Sequence, residues 1–156
     1  MNRSQRGVTL IELLVAIAIL GMLMLVGVPL TASWIHGAQV SNAKSRLAQA
    51  YGLAKALSLR NPAKAQEANA AASLVIDSEQ NAIYVCSGAA STCNSTSSTK
   101  TWQTTVASGI AITYQPASGS AATLASIEFS NTGTPSIGAT QYTLTKGSQD
   151  EIVKLH

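Results

Sequence analysis

The stretch that governs the fold is Arg6-Gly7-Val8-Thr9-Leu10-Ile11-Glu12-Leu13-Leu14, in which one carboxylate stands at the head of a long apolar run. The eighteen residues from Leu13 to Leu30 contain no ionisable side chain, and the next charge along the chain is Lys44. Because an α-helix rises about 1.5 Å per residue, eighteen apolar residues are long enough to cross a bilayer. The sequence therefore predicts a membrane-entering helix that carries Glu12 near its start.

The charges that flank this run predict its orientation. Arg3 and Arg6 precede it, whereas Lys44 and Arg46 lie well past it. The positive-inside rule places the basic flank in the cytoplasm, so the chain after about Ser33 is expected outside. A conventional secretory signal peptide would also begin with basic residues, and cleavage would then fall near Ser33, but its apolar region is usually only about 7–15 residues.

A short basic leader ending in Gly7, followed by V-T-L-I-E-L-L, resembles the N-terminus of type IV pilins and type II secretion pseudopilins. The resemblance implies that an inner-membrane prepilin peptidase cuts between Gly7 and Val8 and methylates the new amino terminus. Pro29 stands where this family usually carries a helix-loosening proline. Val8 departs from the usual Phe, and we expect cleavage to tolerate it.

Glu12 is predicted to act in assembly. A carboxylate inside hydrocarbon costs on the order of 2–3 kcal/mol, and such groups usually face a partner. The charged amine of Val8, on the same chain or a neighbour, would supply that partner after cleavage and fix the axial register of adjacent helices. Alternatively, Glu12 lies at the headgroup boundary, where water makes a partner unnecessary.

The helical pattern continues beyond the apolar run. Apolar residues recur at spacings of three and four and predict an amphipathic helix, which continues the first one from Val8 to about Arg60. Asn61-Pro62 is the first strong stop signal, and Pro29 is the expected place for a bend or local melting. The stripe consists of Val40, Ala43, Leu47, Ala50, Tyr51, Ala54 and Leu57.

Beyond Pro62 the period changes from helix to strand. An Ala-rich linker precedes short strand-like runs separated by turn signals, so the fold class is α+β, with the long helix packed on a small antiparallel β head. The predicted segments are a leader (1–7), a membrane and filament-core helix (8–30), an amphipathic half (31–61) and the head (62–156). The predicted strands are 73–77, 82–86, 101–106, 110–114, 124–129, 141–145 and 152–155.

Cys86 and Cys93 are the only cysteines. In an oxidising exterior they are expected to form a disulfide; a metal pair is the alternative, but no His cluster lies nearby in sequence. Major pilins commonly close a disulfide near the C-terminus, so the mid-chain position favours a minor subunit. Residues 50–61 and 127–133 also resemble minor pilins and H-type pseudopilins.

Composition limits the other functions. Charged residues make up 11% of the chain, against about 25% in an average soluble domain. Removing Arg3 and Arg6 leaves eight basic and seven acidic residues, a balance of +1 that gives little support for nucleic-acid binding. No catalytic or metal-ligating constellation stands out, so neither an enzyme nor a cofactor is expected.

The resulting prediction is a minor pilin or minor pseudopilin that primes, caps or connects a type IV pilus or a type II secretion pseudopilus. Its expected partners are other pilin subunits, the prepilin peptidase, the inner-membrane assembly platform and the membrane itself, crossed once. The alternatives are a major fibre subunit, a DNA- or surface-binding adhesin, and an ordinary secreted β protein. The expected location is the inner membrane, with the head periplasmic, and then the filament.

Overall fold

The structure is a computed structural model that describes residues 7–66, 69–116, 119–139 and 141–156, with the backbone alone at 26–30. The predicted leader, except Gly7, and part of the predicted linker lie outside these residues. The chain divides into two compact units, one ending at Ile35 and the other beginning at His36. Helix α1 (Leu10–Arg60) contributes to both.

Helix α1 ends where the sequence predicts, and the reason is Asn61. Its backbone adopts the left-handed conformation (φ 46°) that Asn tolerates better than most residues, and Pro62 follows it. The side chain of Asn61 then accepts the N–H of Ala65 at 2.7 Å and donates to its carbonyl at 2.8 Å. These bonds end the helix at Arg60 and turn the chain toward the head.

The head contains two four-stranded antiparallel sheets. In the first sheet the strand order is β3-β2-β1-β6, and in the second it is β5-β4-β7-β8. The predicted fold class, a long helix with an antiparallel β head, is confirmed. The strands are β1 (Ala72–Asp77), β2 (Ala82–Ser87), β3 (Lys100–Thr105), β4 (Ala111–Tyr114), β5 (Ala122–Thr123), β6 (Ser126–Phe129), β7 (Gln141–Lys146) and β8 (Gln149–Lys154).

The single strand predicted over 124–129 is wrong, because the chain passes from one sheet to the other there. The N–H of Leu124 bonds to the carbonyl of Ile112 in the second sheet, whereas the carbonyl of Ala125 accepts the N–H of Ile76 in the first. Both bonds are 2.8 Å long. The last strand also begins at Gln149 rather than Ile152 and extends a tight hairpin with β7.

The predicted amphipathic stripe is the centre of the head's core. Six of its seven residues are buried, and Leu57 is partly buried against them. They pack on apolar side chains from both sheets, including Leu74, Ile127 and Leu144. Burying such a side chain contributes about 1.5–3 kcal/mol, so this packing is a major part of the head's stability.

Tyr142 is an exception within this core. Its side chain is fully buried, but among the described residues its hydroxyl has no hydrogen-bond partner. Burial, and then the phenols of Tyr51 and Tyr114, raise the pKa of Tyr142 to about 12. The group is therefore a neutral hydroxyl at physiological pH, and its desolvation is not offset by a protein acceptor.

Replacing Tyr142 with Phe is expected to raise the free energy of unfolding by about 1 kcal/mol, because it removes an uncompensated buried hydroxyl. Tyr84→Phe is the matched control, since the Tyr84 hydroxyl donates to Gln80 Oε1 at 2.8 Å. That variant is expected to lose roughly 0.5–1.5 kcal/mol. Chemical denaturation of the full chain measures both; a larger loss in Tyr142→Phe than in Tyr84→Phe would show that the Tyr142 hydroxyl has a partner.

Candidate functional site

Helix α1 begins with a capping box formed by Thr9 and Glu12. The Thr9 hydroxyl accepts the N–H of Glu12 at 3.3 Å, and Glu12 Oε2 accepts both the N–H and the hydroxyl of Thr9 at 3.4 Å. These reciprocal bonds satisfy donors that a helix start would otherwise leave unpaired. The Thr-x-x-Glu spacing is the sequence signal for this capping contact. The sequence analysis considered only the charge of Glu12 and did not predict the cap.

The structure brings Glu12 to Thr9, and it does not test the predicted contact with the amine of Val8. In the uncleaved chain the nitrogen of Val8 is part of the peptide bond from Gly7, so no charged amine exists there. Gly7 and Val8 lie before the helix, and both are exposed. Cleavage at this bond would leave Thr9 and Glu12, and hence the capping box, within the mature chain.

The first half of α1 exposes its apolar side chains. Thirteen large apolar side chains between Val8 and Leu25 are each more than half exposed. Trp34, near the end of the first unit, is 81% exposed. Within the described residues, no helical segment combines the length and hydropathy that a membrane crossing requires. The crossing over residues 8–30 stays a prediction.

Pro29 does not interrupt the helix. The backbone of α1 is helical from Leu10 to Arg60 without a break, so the local melting predicted at this residue is absent from this conformation. The side chains of residues 26–30 lie outside the described part of the chain. A role of Pro29 in assembly stays a prediction.

Cys86 and Cys93 are joined by a disulfide, with their Cα atoms 5.8 Å apart. The bridge is buried on the outer face of the first sheet, against Tyr84. Glu128, on strand β6, accepts the N–H of Ala90 within the disulfide loop at 2.7 Å. The disulfide and this charge-assisted bond together fix the loop to two different strands. Among the described residues, no group of three metal-ligating side chains comes together.

Residues 50–61 and 127–133, the two stretches predicted to resemble minor pilins, pack on each other. The rings of Tyr51 and Phe129 meet edge to face, with centroids 5.1 Å apart. Gly133 lies in a turn after β6 with φ 78°, and a Cβ added there would lie 3.2 Å from Leu59 Cδ2. The turn therefore needs Gly for its conformation and for its closeness to the helix.

An open apolar groove of about 180 Å³ lies beside the last turns of α1. Leu53 and Leu57 of the helix form one wall, and Trp102 of the edge strand β3 forms the other. Arg60 lines the groove and is exposed. The groove was not predicted, because it depends on how β3 pairs with β2.

Comparison with protein families supports the prediction made for the N-terminus. Residues 2–28 match the prokaryotic N-terminal methylation motif. Comparison of the whole chain with curated proteins and with solved structures gives no significant match. The motif supports a pilin-like or pseudopilin-like subunit in general, which a prepilin peptidase processes and which assembles with other pilins.

Gly133→Ala is expected to lower the free energy of unfolding by about 1–2 kcal/mol, because a Cβ strains the left-handed backbone and crowds Leu59. Gly138→Ala is the matched control, since nothing lies within 4 Å of a Cβ at that position. The control is expected to stay within about 0.5 kcal/mol of the parent chain. Equal losses in the two variants, measured by chemical denaturation, would contradict the argument about this turn.

Proposed function

We propose that this chain is a minor pilin or minor pseudopilin. It is inserted as a single-pass precursor, cut between Gly7 and Val8, N-methylated at Val8, and added to a type IV pilus or a type II secretion pseudopilus. The single observation that carries the proposal is the methylation motif at residues 2–28, which covers the predicted cleavage site and the whole start of α1. The work of such a subunit is structural, and it requires no cofactor.

The exposed half of α1 supports this function on physical grounds. Apolar side chains that are more than half exposed along an entire helical segment must be covered by lipid or by other protein in the mature state. Before assembly, the inner membrane would cover residues 8–30; in the filament, the same residues of neighbouring subunits would replace the lipid. Glu12 would then pair with the methylated amine of Val8 and fix the register between helices.

The head supports the choice of a minor subunit. Its disulfide closes a short loop in the middle of the chain, on the outer face of the first sheet, and not a loop near the C-terminus. The two stretches predicted to resemble minor subunits, residues 50–61 and 127–133, lie together in the head. The head would therefore provide a selective surface by which the subunit primes, caps or connects the filament.

The N-terminus of the mature protein tests this proposal. Intact mass and peptide sequencing are expected to find N-methylated Val8, and Gly7→Trp is expected to abolish it, because a bulky side chain at the cleaved bond would block the peptidase. Gly52→Trp is the control of equal bulk, since a Cβ at this exposed helical position meets nothing within 4 Å. A mature start near Ser33 that ignores both substitutions would mean a conventional signal peptide and would contradict the proposal.

A further inference from the structure

Three side chains form a row on the outer face of the first sheet. Cys86 of β2 and Glu128 of β6 both pair with Ser73 of β1, one from each side. Residues directly opposite each other in antiparallel strands point to the same face of the sheet, so Ser73 lies between the other two side chains. The loop that joins β2 to β3 crosses this row and is attached at both ends of it.

The loop is attached to the row at Ala90 and at Cys93. Ala90 donates its N–H to Glu128 Oε1 at 2.7 Å, and Cys93 forms the disulfide with Cys86. A short 3-10 turn (Ala90–Thr92) connects the two attachments, and the N–H of Cys93 closes it by donating to the carbonyl of Ala90 at 3.1 Å. The carboxylate of Glu128 is therefore linked to the sulfur of Cys93 through a single turn.

Ser73, in the middle of the row, opposes closure of the loop. The turn contacts β1, and the Ser73 side chain beneath it is fully buried. Among the described residues, the Ser73 hydroxyl has no hydrogen-bond partner. A hydroxyl that is buried in this way loses the hydrogen bonds that water would supply, which disfavours the closed loop. The two attachments must offset this cost.

We propose that the loop is a redox-sensitive switch, closed in the disulfide form and open in the dithiol form, and that Glu128 is its positioning residue. In the oxidised chain, the disulfide and Glu128 hold the turn over Ser73 together. After reduction, the hydrogen bond from Ala90 to Glu128 is the only attachment of the turn to the described strands, and the loop opens. Because both attachments favour the same closed state, each strengthens the other by the same factor.

Closure of the switch is a thiol–disulfide exchange, for which glutathione disulfide is a suitable oxidant. One cysteine thiolate attacks a glutathione sulfur and releases the first glutathione thiolate. The second cysteine thiolate then attacks the mixed disulfide and releases the other. The two protons that the cysteines lose are taken up by the two glutathione thiolates. Glu128 takes no part in these bond changes; it holds Ala90, and through the turn Cys93, close to Cys86.

The switch rests on the proposed function in one respect, the export of the head. Cytoplasmic thiols stay reduced, whereas the exterior of the inner membrane is oxidising, so the loop would close only after export. Opening would uncover Tyr84, which packs against both cysteines and is 2% exposed in the closed form. The closed outer face would therefore distinguish an exported, oxidised head from one that is not yet oxidised.

The equilibrium between the disulfide and glutathione tests this switch. Full-length chains in detergent micelles are equilibrated with mixtures of reduced and oxidised glutathione, and free thiols are counted by alkylation and mass spectrometry. Glu128→Gln retains an acceptor for Ala90 but loses the charge, so the equilibrium constant for disulfide formation is expected to fall about tenfold. Glu79→Gln is the matched control, because Glu79 is exposed in the turn at the opposite end of β2. It is expected to leave the constant unchanged.

Ser73→Ala is expected to change the same constant in the opposite direction. Without the hydroxyl, closing the loop no longer buries an unpaired polar group, so disulfide formation is expected to become severalfold more favourable. Ser126→Ala is the control, since Ser126 lies on the neighbouring strand β6 and is only partly buried. That change is expected to have little effect.

Hydrogen exchange shows whether the loop itself opens. In the parent chain, reduction is expected to speed exchange severalfold in the loop, residues 88–99. The hairpin of β7 and β8, which belongs to the other sheet, is expected to exchange at the same rate in both redox states.

Four results would overturn the switch. An equal equilibrium constant for the parent and Glu128→Gln would show that the carboxylate stabilises both redox states alike, and an equal fall for Glu79→Gln would show a general charge effect. Unchanged exchange in the loop would show that it stays closed without the disulfide. Faster exchange in the hairpin as well would show that reduction unfolds the whole head. None of these results depends on the N-terminus of the mature chain, so the switch and the proposed function can fail separately.

Discussion

A single helix in this protein carries two apolar surfaces, and among the described residues only one of them is buried. Between Val40 and Ala54 the apolar stripe is buried against both sheets of the head. Between Val8 and Leu25 the apolar side chains are exposed. The head depends on the first surface, because its two sheets share the core that the helix provides. The proposed function depends on the second, because that surface requires a partner outside the chain.

Much of the fold could be predicted from the sequence because its signals are local. Apolar spacing predicted the stripe on α1, and Asn61-Pro62 predicted its end, where a left-handed Asn closes the helix. The transfer between sheets at Leu124 and Ala125 could not be predicted, because residues 124–129 contain no Gly, Pro, Asn or Asp that would mark a turn. Which strand each backbone group bonds to depends on long-range pairing. The groove beside Trp102 was missed for the same reason.

At the start of α1, too, the sequence predicts one role for a residue and the structure shows a second one. The resemblance of residues 6–14 to prepilins predicts a role for the charge of Glu12 in assembly, and the structure shows that its carboxylate also caps the helix through Thr9. Both roles are compatible, because a carboxylate has two oxygens and can accept several hydrogen bonds. In the uncleaved chain the cap supplies a local partner. After cleavage, the proposed amine at Val8 would add a charged one.

The central claim is that this helix assembles into a filament because Glu12 is charged, and not because Glu12 caps the helix through Thr9. Glu12→Gln retains an amide oxygen that can accept from Thr9 but loses the charge, whereas Thr9→Ala loses the cap's hydroxyl but retains the charge. The amount of each chain in sheared filaments, relative to the membrane fraction, separates the two effects. The account predicts at least a tenfold loss for Glu12→Gln and a near-normal amount for Thr9→Ala. Normal incorporation of Glu12→Gln, or an equal loss in both variants, would contradict it.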